Sequence, residues 1–166
     1  MKMRRKDKEI INYPEIEEIM RKALICRISL VDGDSPYIVP VNFVVKDKYL
    51  YFHSATEGKK IEILRKNNKV CFEMDIDTEI VKGKSPCVWG MKYLSVIGFG
   101  RAFFIDNSSE KKKILNILME KYAGEGDYVY QEEALQKVIV IGVIIETITG
   151  KKSRIPQQRQ VAVIKR

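Results

Sequence analysis

Apolar residues first fall into register at Ile16, Ile19, Met20 and Ala23, a spacing of i, i+3, i+4 and i+7 that lines one face of a helix. Asn12 and Glu15 flank Pro14 just upstream, so the helix is expected from about Pro14 to Ala23, with its stripe laid against a sheet. From Leu24 the period changes to that of strands. LICRISLV is followed by the turn residues DGDS, then by PYIVPVNFVV, the turn Lys46-Asp47-Lys48, and YLYFHSA. Three such runs joined by short turns predict an antiparallel meander. Pro40 removes a ladder donor from the second run, so that strand is expected to lie at an edge or to be bulged there. A bulge would leave backbone groups free to meet a ligand.

Residues 58–67, GKKIEILRKN, read as a short helix with Ile61 and Leu64 inward, and KVCFEMD as a fourth strand. The stretch from Ile76 to Gly90 mixes polarity with Gly83 and Pro86 and reads as a long excursion. KYLSVIGFGRAFFI is a fifth, long strand in which Gly98 and Gly100 predict a sharp bend. Asn107 and Glu110 cap a further helix with the stripe Ile114, Leu115, Leu118 and Tyr122, and KVIVIGVIIETITG supplies a sixth strand. The prediction is a mainly β fold with peripheral helices, a six-stranded antiparallel closed or split β-barrel. One domain is expected over residues 1–150, followed by a basic C-terminal tail over 151–166.

Composition adds boundaries to this picture. The chain has 166 residues, 45% apolar and 31% charged, which suits one globular domain and argues against disorder. No apolar run approaches the roughly 20 residues that span a bilayer. MKMRRKDKEIINY lacks the apolar stretch of a secretory signal, so a cytoplasmic location is expected and no membrane partner. The net charge of +8 raises nucleic-acid binding. The excess, however, gathers at the two ends (Lys2, Arg4, Arg5, Lys6 and Lys8; Lys151, Lys152, Arg154, Arg159, Lys165 and Arg166), and no nucleic-acid signature accompanies it. Solvated ends are the reading. Cys26, Cys71 and Cys87 form no CxxC pair and no metal-ligand spacing, so neither a disulfide framework nor a metal site is expected. Cys26 and Cys71, in apolar runs, read as small core residues.

Catalysis by side chains alone has little to work with. His53 is the only histidine, and neither a G-x-S-x-G elbow nor a dinucleotide or P-loop fingerprint is present. A cofactor would have to carry the chemistry. The stretch YFHSATEGKK is the place to hold one. A glycine-containing turn into a helix presents backbone N–H groups to an anion, Lys59 and Lys60 add charge, and Ser54 and Thr56 add hydroxyl donors, although Glu57 opposes them. The same residues also suit a plain strand–helix connection with solvated lysines.

The order PYIVPVNFVV, YLYFHSATEGKK, NKVCFE and YLSVIGFGRA, over about Asn12 to Gly150, resembles the pyridoxamine 5′-phosphate oxidase-like superfamily of FMN-binding split barrels. Within it, the resemblance is to the nitroimidazole-resistance (Nim-type) group. It implies a homodimer with FMN in a cleft between two barrels. It implies that the backbone of Val39, Pro40, Val41 and Asn42 borders the flavin ring and that His53, Ser54 and Ala55 line the ring and ribityl chain. Lys59, with Lys60, would meet the phosphate, and Tyr93, Ser95 and Val96 would complete the site. His53 is the candidate catalytic residue, or else a satisfied strand-end histidine. The implied activity is reduction of a small acceptor, such as a nitroaromatic, by electrons from a reduced nicotinamide or another donor. The alternatives are a non-enzymatic flavin protein and a haem-binding barrel with His53 as ligand. True pyridoxamine-phosphate oxidases end in a Trp- and Arg-rich segment. SRIPQQRQVAVIKR has no tryptophan, so oxidation of pyridoxamine phosphate is not expected. Trp89 reads as interface anchor, lid or core.

Overall fold

The protein was analysed as a computed structural model that describes residues 3–153. Its strands are β1 (Glu9–Ile10), β2 (Cys26–Asp32), β3 (Ser35–Val41), β4 (Phe43–Lys46), β5 (Tyr49–Ala55), β6 (Lys69–Val81), β7 (Gly90–Ile105) and β8 (Val138–Ser153). Helices α1 (Tyr13–Lys22), α2 (Lys59–Lys66), α3 (Ser108–Ala123) and α4 (Glu132–Gln136) lie among them. Eight strands therefore stand where six were expected. The short β1 carries too few residues to show a period, and the second predicted run divides into β3 and β4. The expected tail boundary also moves, because β8 continues through Lys151, Lys152 and Ser153. The rest of the predicted tail, residues 154–166, lies outside the described residues.

The division of the second run creates the barrel. The strands form one antiparallel sheet in the order β3-β2-β6-β7-β8-β5-β4, with β1 added on β8. β3 and β4 are thus the two ends of the path, yet only Asn42 separates them in the chain. Two residues with a single residue between them cannot be more than about 7 Å apart, so the sheet must curl until its edges meet at Asn42. The predicted meander fails here. Val41 and Phe43 are both buried and Asn42 is exposed, so the alternation of sides runs unbroken through the point where the chain changes partner. Periodicity reports which side is buried, not which strand is adjacent. Tyr122 of α3 fastens this seam: its hydroxyl accepts from the Phe43 amide at 2.8 Å and donates to the Leu24 carbonyl at 2.8 Å.

The barrel interior is filled by Ile28, Leu30, Phe43, Phe52, Phe72, Met74, Val96 and Ile141, each fully buried. A second cluster, with Ile105, Ile114, Leu115, Leu118, Leu135 and Val140, seats α3 and α4 on the outside of the wall. The Asn107 cap is present as predicted, its side chain accepting from the Glu110 amide at 3.0 Å. The expected excursion after Ile76 is mostly strand: β6 runs on to Val81 past an irregularity between Ile76 and Glu79, and a single helical turn at Pro86–Val88 leads to β7. The bend expected in β7 is a register shift against β8 at Phe99 and Gly100. Gly100 is required there, since a Cβ would stand 2.1 Å from the Ile144 carbonyl oxygen. Asp47 and Lys48 close the β4–β5 hairpin with φ of 51° and 67°, a left-handed pair that costs non-glycine residues about 1–2 kcal/mol each.

Candidate functional site

The turn between β5 and α2 is set by alternation and by one glycine. Leu50 and Phe52 point into the barrel, which leaves His53 and Ala55 on the outer side with Ser54 between them. Gly58 then adopts φ 112°, a value only glycine holds without strain, and becomes the N-cap of α2. Its carbonyl accepts from the Ile61 and Glu62 amides at 2.9 and 3.1 Å, which leaves the amides ahead of them pointing out of the helix end. Ile61, Ile63 and Leu64 bury the other side of α2. Lys59 and Lys60 are therefore held at the positively polarised start of α2, Lys59 exposed and Lys60 half-buried.

The lysines differ in their surroundings. Lys59 lies 3.2 Å from the Asp32 carboxylate at the end of β2, and 5.2 Å from the centroid of the Tyr37 ring on β3. Lys60 is half-buried, its ammonium 5.6 Å from the centroid of the Phe52 ring, and burial pushes its pKa below the ordinary lysine value. His53 retains solvent exposure, but the protein wall beside its ring withdraws it from part of the water and lowers its pKa, and the Lys60 ammonium adds to the effect. His53 is accordingly neutral at pH 7.

β3 is an edge strand, bonded only to β2 with Pro40 opposite Arg27. The edge position expected from Pro40 holds, and the pairing with β2 runs through it without a bulge. Pro40 and Asn42 are exposed, Val39 is half-buried and Val41 buried, so this segment offers backbone and Pro40 rather than a row of side chains.

Tyr93 and Ser95 open onto a separate recess of about 370 Å³, shared with Glu73, Asp75, Thr78, Ile97 and Lys151. The Lys151 ammonium donates to the Tyr93 hydroxyl at 2.7 Å. Arg27 bridges Glu73 and Asp75 at 3.1 and 2.9 Å and thereby joins the recess to the Pro40 end of β3. Val96 requires a correction. Its side chain is fully buried in the barrel core, so it supports the wall and presents nothing to a ligand. Two neighbours of these candidate residues were not legible in the sequence: Asp32, which pairs with Lys59, and Lys151, whose strand has no apolar marker after Gly150.

Trp89 is 49% exposed, which excludes a core role. Cys71 is likewise half-buried on the outer face and not a core residue, whereas Cys26 is buried with its thiol pushed up to about 12, chiefly by burial. Among the described residues no cluster of metal-ligating side chains occurs, and no helix is long and apolar enough to cross a membrane.

The fold is a split, antiparallel β-barrel with an anion-suited corner at its mouth. The sequence profile of the pyridoxamine 5′-phosphate oxidase family matches residues 13–152, and the chain belongs to that family. A solved structure of a candidate 5-nitroimidazole antibiotic resistance protein from Bacteroides thetaiotaomicron is 33% identical, with 87% of this chain and 86% of that chain covered and a TM-score of 0.78. The flavocytochrome Anf3 from Azotobacter vinelandii shares the fold at 16% identity, with 93% and 73% covered and a TM-score of 0.81. An FAD-binding protein from Mesorhizobium loti shares it at 21% identity, with 86% and 96% covered and a TM-score of 0.62. No protein of curated function matches the sequence.

Proposed function

We propose that this protein is an FMN-dependent oxidoreductase acting as a homodimer, with the flavin in a groove between two barrels and a small acceptor, a nitroaromatic being one candidate, reduced beside it. The observation that carries this reading is the β5–α2 corner, where Gly58, outward-pointing helix amides and the adjacent Lys59 and Lys60 stand at one helix start. A dianionic phosphate monoester suits that donor set. Bound there, the flavin supplies the redox chemistry.

The chain's own residues hold and orient it. Lys59 would exchange its surface pair with Asp32 for the phosphate, and Lys60 would add a second, less hydrated charge. Tyr37 and Pro40 are three residues apart on an extended strand, or about 10 Å. The free edge of β3 thus offers backbone groups to a ring whose phosphate lies at Lys59. Neutral His53, near the end of β5, would meet an acceptor without repelling a cationic one.

The recess with Tyr93, Ser95 and Lys151 shares no lining residue with the β5–α2 corner, and a second copy would supply that wall. The outer sheet supports such a partner. Ile38, Ser29, Cys71, Phe99 and Thr147 are directly paired neighbours across five strands, and Ile38 and Phe99 are 61% and 38% exposed. The two exposed apolar side chains in this row favour an interaction face there. Family membership and the flavin-related names of the relatives from Azotobacter vinelandii and Mesorhizobium loti favour a flavin, and the Bacteroides relative favours a nitro compound as acceptor. Chromatography of the cofactor released by denaturation tests the reading. FMN in about one copy per chain is expected, and turnover of a nitroaromatic with reduced nicotinamide. FAD or haem would replace the cofactor assignment, and flavin without turnover would reduce the protein to a flavin carrier.

A further inference from the structure

A second recess lies elsewhere. A groove of about 720 Å³ runs between α1, the β4–β5 hairpin and α3, and none of the flavin-site residues lines it. Lys121 is half-buried in its wall. The ammonium lies 3.6 Å from the centroid of the Phe43 ring and 5.6 Å from that of Tyr122, and its one hydrogen bond among the described residues goes to the Met20 carbonyl at 3.3 Å. No carboxylate pairs with it among the described residues. An ammonium has three donors and is rarely withdrawn from water without a counter-charge. Burial accordingly lowers its pKa to about 8.

The rest of the groove complements this group. Met20, Val44, Val45 and Ile117 give apolar wall, and the volume lies within the range of small-molecule sites. Lys46 and Lys48 stand at the hairpin lip, with Lys48 keeping a side chain at a left-handed position that glycine would fill more easily. Glu17, Asp47 and Glu120 also line the groove and disfavour a ligand with more negative charge than the one group that meets Lys121.

We propose that this groove binds an amphipathic organic acid, its carboxylate on Lys121 and its alkyl or aromatic body along the apolar wall. The site is independent of the flavin reading.

Decanoate and 4-phenylbutyrate serve as probes, with decanol as the uncharged control, in calorimetric titrations of the full chain. Both acids should saturate one site per chain and decanol should bind at least about tenfold more weakly, the range of one charge-assisted hydrogen bond. Lys121→Met keeps most of the side chain's apolar bulk against Phe43 and should weaken decanoate at least about tenfold, leaving cofactor content unchanged. Lys48→Glu, at the exposed lip, should weaken it several-fold and serves if the first variant does not fold. Absence of saturable acid binding, equal binding of decanol, or decanoate affinity unaltered in the folded variants would each overturn the proposal.

Discussion

Lys59 and Asp32 form an ion pair that a phosphate bound in the proposed site would have to displace. Their pair is exposed, so it stabilises the fold little and is readily exchanged. Lys59→Ala should weaken FMN retention by about 1.5–3 kcal/mol, the worth of a charge-assisted bond. Asp32→Asn should tighten FMN several-fold by freeing the lysine; equilibrium titration with FMN checks both. His53 gives a pH signature. Its pKa is lowered in the folded protein, so the unfolded chain binds the extra proton first as the pH falls. Stability from this group is complete above the ordinary histidine value near 6.5 and declines below it. Urea midpoints from pH 7 to 5 should therefore fall less steeply in His53→Gln. Lys121 acts in the alkaline range. With its folded pKa lowered to about 8, the unfolded chain holds the proton from there to the ordinary value of 10.5, and stability attributable to it rises across that window.

At the level of elements, the seam and the bulge are the sensitive joints. Tyr122→Phe leaves the Phe43 amide without its acceptor where the two sheet edges meet, and should cost about 1–3 kcal/mol in urea denaturation. Gly100→Ala drives a Cβ toward a backbone carbonyl that no rotamer change can move, so soluble yield and denaturation midpoint should both drop. These joints also mark the limit of what the sequence says. α1, β5, α2, the Asn107 cap and the glycine bend followed from periodicity and turn residues, because each is decided by neighbours in the chain. The break at Asn42 did not, since Val41 and Phe43 keep the alternation intact while the chain crosses from one sheet edge to the other. The inward turn of Val96 and the recruitment of Lys151 likewise depend on which strands pair. The candidate cradle was read from the glycine turn and its two lysines, whereas the Asp32 partner of Lys59 became visible only where β2 meets α2.

For the whole molecule, the proposed flavin site needs two copies. The corner at α2 and the recess at Tyr93 lie on different parts of one chain, and the outer row through Phe99 is the surface that would bring two chains together. Phe99→Asp should therefore yield a folded monomer by sedimentation and lose FMN as well, although Phe99 is not among the cofactor residues. Loss of the dimer with full flavin retention would confine the site to one chain.

The most direct measurement combines the absorption spectrum of the freshly purified protein with its mass in solution. The account predicts a yellow protein with flavin bands in the blue and twice the 19.2 kDa of a single chain. A colourless species of single-chain mass that remains colourless after incubation with excess FMN would contradict it.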